Sequence, residues 1–144
     1  MKKENCPIVA LASQLREAAH TFIIRELKAK GVVGIAPSHG GILQLLFQTK
    51  APVTMQHIAA FIRKDKSTVT ALVAKLEKLG YVTRMRSEED KRSIYVALTP
   101  QAWAFEPIFR EVSFALKERL LKNIDQTTLQ EVCDALENMI ENLD

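Results

Sequence analysis

Residues 53–98 constrain this chain more than any other stretch. They open with VTMQHIAAFIRKDKSTVTALVAKLEKLGYV and run on into TRMRSEEDKRSIYVAL. Apolar residues first recur at steps of three and four, then give way to β-branched and aromatic runs around a charged loop. That order predicts two short helices joined by a tight turn, then a two-stranded hairpin. The second helix is apolar on one side and carries small polar and basic residues on the other. Such a helix rests on a core and can still push side chains into the major groove of DNA, while the basic loop reaches the backbone or the neighbouring minor groove. The arrangement predicts a winged helix-turn-helix.

The flanking sequence fits helices. Ile8, Leu11, Leu15, Ala18, Phe22 and Ile23 mark one face of a helix over 8–27, with Pro7 in its first turn and Gly31 and Gly34 at its end. Ser38 is the expected cap of a second helix carrying Ile42, Leu43, Leu45, Leu46 and Phe47, which Ala51-Pro52 breaks. Thr54 and Asp65 are the expected N-caps of the third and fourth helices, and the fourth stops at Gly80. Residues 81–86 and 93–98 are the two strands. Thr99-Pro100 opens a helix in which Pro107 predicts a kink. Asp125 caps the last helix. Its apolar repeat, Leu129, Val132, Cys133, Leu136, Met139, Ile140 and Leu143, suits a helix–helix seam.

The chain has 144 residues, 47% apolar and 26% charged, which is a globular composition with enough length for one domain or two small lobes. No apolar run reaches membrane-span length, and Glu4, Arg16 and Glu17 interrupt what a signal-peptide core would need. A cytoplasmic location without membrane contact is the expectation. The charge is unevenly placed. Residues 37–98 hold ten Lys and Arg against five Asp and Glu, whereas residues 99–144 hold four against nine. A polyanion is drawn to the middle of such a chain and repelled by its end.

On the fourth helix Val69, Leu72, Val73, Leu76 and Leu79 form the inward stripe. Lys66, Ser67, Thr68, Thr70, Ala71, Ala74, Lys75 and Lys78 are left facing out. Short hydroxyls and a lysine near the helix N-terminus can approach base edges and phosphates closely, and the methyl groups of Ala71 and Thr70 suit a thymine methyl. The plainer reading is a solvated face on an ordinary amphipathic helix. The full order of helix, turn, helix, glycine, strand, basic loop and strand favours DNA.

This stretch resembles the MarR family of bacterial transcription regulators. The carrying residues are DKSTVTALVAKLEKLGYVTR (65–84) and EEDKRSIYVALT (88–99), with Asp65 to Val69 opening the recognition helix. Leu76 to Gly80 precede the wing, Asp90 and Arg92 lie in it, and Leu98-Thr99 follows. The resemblance implies a mainly α fold with a small β-hairpin wing and N- and C-terminal dimerisation helices. Residues 1–144 then form a single chain, with 37–99 the DNA-binding lobe and 1–36 and 100–144 the helical dimerisation region. It places Ser67, Thr68, Thr70 and Lys75 in the major groove and Arg92 in the minor groove, with Asp90 orienting the wing. Beside these, Lys66, Ala71 and Lys91 complete the expected DNA surface. Arg84 and Arg86 are expected on phosphates, unless they pair with Glu88 or Glu89. Asp90 also reads as a solvated turn acid. The chain departs from the family at three places. Arg63 stands where a turn glycine is frequent, Ala71 replaces a frequent arginine, and Pro107 interrupts the helix after the wing.

The implied function is a sequence-specific transcriptional regulator, a repressor binding a pseudopalindromic operator on double-stranded DNA as a homodimer. Ile8, Leu11, Leu15, Leu129, Val132, Leu136, Met139, Ile140 and Leu143 are the expected dimer interface, with packing inside one chain as the alternative. The resemblance also implies release by a small aromatic or anionic ligand or an oxidant. Cys6 is a candidate redox sensor, although an incidental cysteine at a frayed terminus is the simpler reading. Cys133 should be a small buried hydrophobe. His39 fits either a ligand cleft or an ordinary helix start. No metal-ligand spacing, phosphate-binding glycine loop or nucleophile motif is present, so no cofactor, no metal and no catalysis are expected. The rival function is a winged helix used only for protein–protein contact.

Overall fold

The computed structural model describes residues 2–144. A 3-10 turn at Lys3–Asn5 leads into α1 (Ile8–Ala29), with Pro7 just ahead of its first turn. Gly31, at φ 77°, ends α1: its own N–H bonds to Lys28 O at 3.0 Å and that of Val32 to Leu27 O at 2.9 Å. These two bonds satisfy carbonyls that a helix end would otherwise leave open.

A second 3-10 turn, Pro37–His39, precedes α2 (Gly40–Thr49). The expected Ser38 cap is not formed. Ser38 lies inside the turn, and the His39 ring performs the task from the other side, its Nδ1 accepting the Ala36 N–H at 3.0 Å. The chain reverses at Lys50, which is left-handed at φ 56°. It then forms a strand the sequence did not reveal, β1 (Val53–Thr54). Helix α3 (Met55–Ile62) starts at Thr54, whose hydroxyl accepts the His57 N–H at 3.1 Å. Helix α4 (Lys66–Lys78) starts at Asp65, whose carboxylate accepts the Thr68 N–H at 2.7 Å. Gly80, at φ 89°, closes α4 by the same pair of bonds as Gly31.

The wing is β2 (Val82–Arg86) and β3 (Ile94–Leu98), antiparallel, with Arg84 opposite Val96 and Arg86 opposite Ile94. Strand β1 pairs with the other edge of β3, Val53 opposite Val96, which makes the sheet order β1-β3-β2. Thr99 caps α5 (Pro100–Leu120) and also donates its hydroxyl to Gly80 O at 2.6 Å, tying the start of α5 to the end of α4. Pro107 does not end α5. It lies exposed, so the carbonyl it deprives of a partner one turn back, that of exposed Trp103, is on the water side. Helix α6 (Gln126–Glu141) is capped by Asp125.

The core is built from Ile42, Leu43 and Leu46 of α2, Ile58 of α3, Val69, Val73 and Leu76 of α4, and Val82 and Val96 of the sheet, all essentially inaccessible. Phe105 and Val112 bring α5 against it, and Leu27 brings α1. This core holds the outer face of α4 and the wing on one side of the lobe. Among the described residues, α6 buries none of its side chains. Val132 and Ile140 are about half exposed and Leu143 is 89% exposed; Leu11 and Leu15 on α1 are half exposed as well. These side chains are not packed away within the single chain, whereas Ile8, Leu129 and Leu136 are half-buried. Cys133, expected to be buried on that seam, is exposed. No helix among the described residues is long and apolar enough to cross a membrane.

Candidate nucleic-acid interface

The Asp65 cap fixes where α4 begins and so which residues its first turn presents. Asp65 Oδ1 accepts both the Thr68 N–H and the Ser67 hydroxyl, the latter at 2.9 Å. These bonds, led by the Thr68 N–H, hold its carboxyl below the usual carboxylate range. Lys66, Ser67, Thr70, Ala71, Lys75 and Lys78 are exposed, and Thr68 is half-buried. Thr70 donates its hydroxyl proton to Lys66 O at 2.7 Å. With both protons used inside the helix, Ser67 and Thr70 turn oxygen lone pairs outward, so each can accept from a base amino group.

Asp90 organises the tip of the wing. Its Oδ1 accepts the Arg92 N–H at 3.0 Å, its Oδ2 accepts the Ser93 hydroxyl at 3.3 Å, and its own N–H bonds to Ser87 Oγ at 3.2 Å. A turn locked this way leaves Lys91 and Arg92 exposed at a defined place. A cleft of about 350 Å³ runs between the recognition helix and the wing, and Lys66, Thr70, Arg84 and Arg92 line it together. Lys75 lies further along α4, and Arg86 and Lys91 lie on the wing outside this cleft. Among the described residues, Lys66, Lys75, Lys78, Arg86, Lys91 and Arg92 form no ion pair, which leaves their charges free for an anion.

Arg84 differs. Neither Glu88 nor Glu89 is its partner; Glu77 is. The Arg84 guanidinium donates to Glu77 Oε1 at 2.9 and 3.2 Å, and its backbone N–H donates to Glu77 Oε2 at 3.3 Å. The guanidinium hydrogen bonds draw the Glu77 carboxyl below its ordinary range. The sequence did carry a signal for this pair. Glu77 is the only acid between Lys66 and Lys78, and it faces Arg84 across the reversal at Gly80.

Arg63 is left-handed, φ 54° and ψ 49°, and its N–H closes α3 on Ala59 O. The turn is thus the one a glycine would make, with an arginine in it. His39 is buried, at 3% exposure, and its Nε2 finds no hydrogen-bond partner among the described residues. Burial, then the nearby Lys75 charge, holds its pKa below the ordinary value. Its role is the helix start. It does not line the apolar cavity of about 230 Å³ between α1, α2 and α5, which is walled by Leu27, Ile35, Phe105, Phe109 and Val112 with Lys117 at its edge. A shallower groove of about 560 Å³ lies between α1 and α5, where Phe22 is flanked by the guanidinium groups of Arg25 and Arg119 at 5.7 and 5.8 Å. Cys6 is exposed ahead of α1.

Comparison with known proteins bears on the fold. The MarR family model matches residues 35–94. The HTH-type transcriptional regulator SarZ of Staphylococcus haemolyticus is 28% identical over 98 residues, which is 68% of this chain and 65% of that protein. The match thus spans just under two thirds of that relative's length. A MarR transcriptional regulator from Methanosarcina mazei superposes with a TM-score of 0.73 at 26% identity over 94% of both chains. A MarR mutant from E. coli complexed with operator DNA superposes with a TM-score of 0.78 over 94% of this chain and 95% of that one. At 20% identity that last likeness establishes the fold alone.

Proposed function

We propose, from the match of residues 35–94 to the MarR family and from the winged helix-turn-helix, that the chain is a cytoplasmic, sequence-specific DNA-binding repressor that holds a pseudopalindromic operator as a homodimer. The observation that carries this reading is the shared cleft. Lys66 and Thr70 of the recognition helix and Arg92 of the wing line one concave surface, with no ion pair among the described residues holding Lys66 or Arg92 back. In this reading Ser67, Thr68, Thr70 and Ala71 meet base edges and Lys66 and Lys75 meet phosphates. Arg86 and Lys91 add backbone contacts, and Arg92 enters the minor groove, whose narrow stretches favour an inserted arginine. Residues 37–99 act as the DNA-binding lobe, and residues 1–36 and 100–144 join the two copies.

The homodimer is supported by the apolar faces left open on α1 and α6. The α6 helix also carries Glu131, Asp134, Glu137 and Glu141, which suit the Arg25 and Arg119 groove of a second copy. Release by a small aromatic anion is supported by the cavity with Lys117 at its edge, since an apolar pocket with one cation fits such a ligand.

The test is binding of the full chain to duplexes it selects from a randomised 30-bp pool (about three turns of B-DNA), followed across a salt series. Affinity should fall steeply with salt, and Arg92→Ala should lower it on every sequence while reducing the logarithmic salt slope by about one. Thr70→Ala should instead change which sequences are selected. A chain that selects no duplex, or whose binding is flat in salt, would favour a winged helix that acts on protein.

A further inference from the structure

Arg84 was expected to hold a phosphate, yet its charged group is committed within the molecule. One carboxylate, Glu77, receives both guanidinium bonds and the backbone N–H of the same residue. Glu77 lies in the last turn of α4, and Arg84 is the middle residue of β2, opposite buried Val96. The bonds therefore link the reading helix directly to the strand that leads into the wing. The link also borders the cleft that Lys66, Thr70 and Arg92 share, so it lies where the spacing between helix and wing is set.

We propose that Glu77 and Arg84 form a positioning clasp that fixes the wing relative to the recognition helix, and that Arg84 contributes to DNA recognition through Glu77 and not by holding a phosphate. This rests on the DNA-binding reading above. The charge argument gives it a sharp consequence. Glu77 is the one acid on the recognition helix. If charge alone mattered, removing it would bring a polyanion closer and removing Arg84 would push it away. A clasp predicts the same sign for both, because losing either partner frees the wing. The ordering of a carboxylate with a planar guanidinium fork also makes lysine a poor substitute.

The experiment uses the full chain and a duplex that the wild-type chain has selected from the randomised pool. Glu77→Gln and Arg84→Gln should each weaken binding about two- to fivefold, the range expected when a partly exposed pair is lost. The double variant should be no weaker than either single one, and all three should keep the wild-type salt slope. Reselection with either variant should relax sequence preference under the wing and leave it intact under α4. The Arg84 amide should exchange faster in Glu77→Gln. Melting curves identify any variant that has lost its fold. The charge-swapped pair Glu77→Arg with Arg84→Glu then serves as the second test, and should bind better than Arg84→Glu alone. Tighter binding by Glu77→Gln, with looser binding and a slope lower by about one for Arg84→Gln, would overturn the clasp and make Arg84 a phosphate contact. A wild-type chain that selects no duplex would overturn the DNA reading, and the clasp with it, before any variant is made.

Discussion

The lobe from residue 37 to residue 99 and the helices around it treat apolar surface in opposite ways. Among the described residues, all the buried apolar side chains except Leu27, Ile35, Ala102, Phe105 and Val112 lie within the lobe, where three helices and a three-stranded sheet enclose them. The terminal helices leave Leu11, Leu15, Val132, Met139 and Ile140 about half exposed, and Leu143 almost fully so. An apolar stripe on a helix is stable only against something else apolar. The lobe supplies its own cover. The α6 helix does not. On the dimer proposed above, the contrast separates stability, which the lobe supplies, from geometry on DNA, which the terminal helices would set.

The largest expected effect breaks the side of the contrast that depends on a second copy. Val132→Glu with Ile140→Glu places two charges on the open seam. We expect sedimentation to report monomers at concentrations where the wild type is a dimer. Affinity for a selected duplex should fall by about two to four orders of magnitude, because the two half-sites are then no longer held by one tethered particle. The lobe should melt as before. If the doubly charged variant remained dimeric, the seam would be elsewhere.

The next effect breaks the other side. Leu43 of α2 is fully buried in the hydrophobic core. Leu43→Ala should cost about 2–5 kcal/mol of unfolding free energy, read from urea unfolding. Val132→Ala, measured below the dimer dissociation concentration, should cost less than about 0.5 kcal/mol, as surface changes do. Equal costs would mean that α6 packs inside its own chain after all.

What could be read from the sequence followed how local its physics is. Thr54, Asp65, Thr99 and Asp125 were legible as caps because each oxygen meets an N–H three residues on. Asp90 came from the family resemblance and not from such a pattern, although its partners Arg92 and Ser93 are also its neighbours. Strand β1 was not, because two residues carry no period and Val53 becomes a strand only by meeting Val96. The partner of Arg84 was sought among the acids of its own loop and found on the preceding helix, because the reversal at Gly80 folds β2 back along α4. Ser38 has the chemistry of a cap, but Pro37 begins a 3-10 turn that leaves it inside, and the His39 ring takes the bond instead. Cys133 follows the apolar repeat of α6 and shares its exposure.

His39 lies where the two regions meet, between Lys75 of the recognition helix and the Ala36 loop that borders the apolar cavity walled by α1, α2 and α5. His39→Ala would leave the Ala36 N–H without its acceptor, at a cost of about 1–3 kcal/mol. The wild-type ring gives a pH signature as well. Its pKa is lowered in the folded chain, by burial first and by Lys75 second. Above the ordinary value of about 6.5 the ring is neutral folded or unfolded, and its contribution is fully present. As the pH falls below that value the unfolded chain takes up a proton that the folded chain refuses, so stability declines. Urea unfolding between pH 8 and 5 should show this decline in the wild type relative to His39→Gln. Parallel curves would mean the ring is not excluded from water.

The smallest effect sharpens the contrast within the lobe itself, by setting its stability against its DNA surface at one residue. Arg63 is left-handed at the end of α3, a conformation that costs a residue with a Cβ about 1–2 kcal/mol. Arg63→Gly removes that cost, and part of the gain is lost again because glycine is freer in the unfolded chain. A net stabilisation of about 0.5–1 kcal/mol should remain, visible as a rise of a few degrees in Tm. The same change deletes an exposed cation next to the recognition helix. Affinity for a selected duplex should therefore drop at low salt, and the salt slope should flatten by up to about one. Stability rising while binding falls is the pattern expected of strain kept for function. If both rose, Arg63 would be a tolerated misfit in the turn with no phosphate near it; if stability fell, its side chain would hold the turn in some way that its exposed position does not suggest.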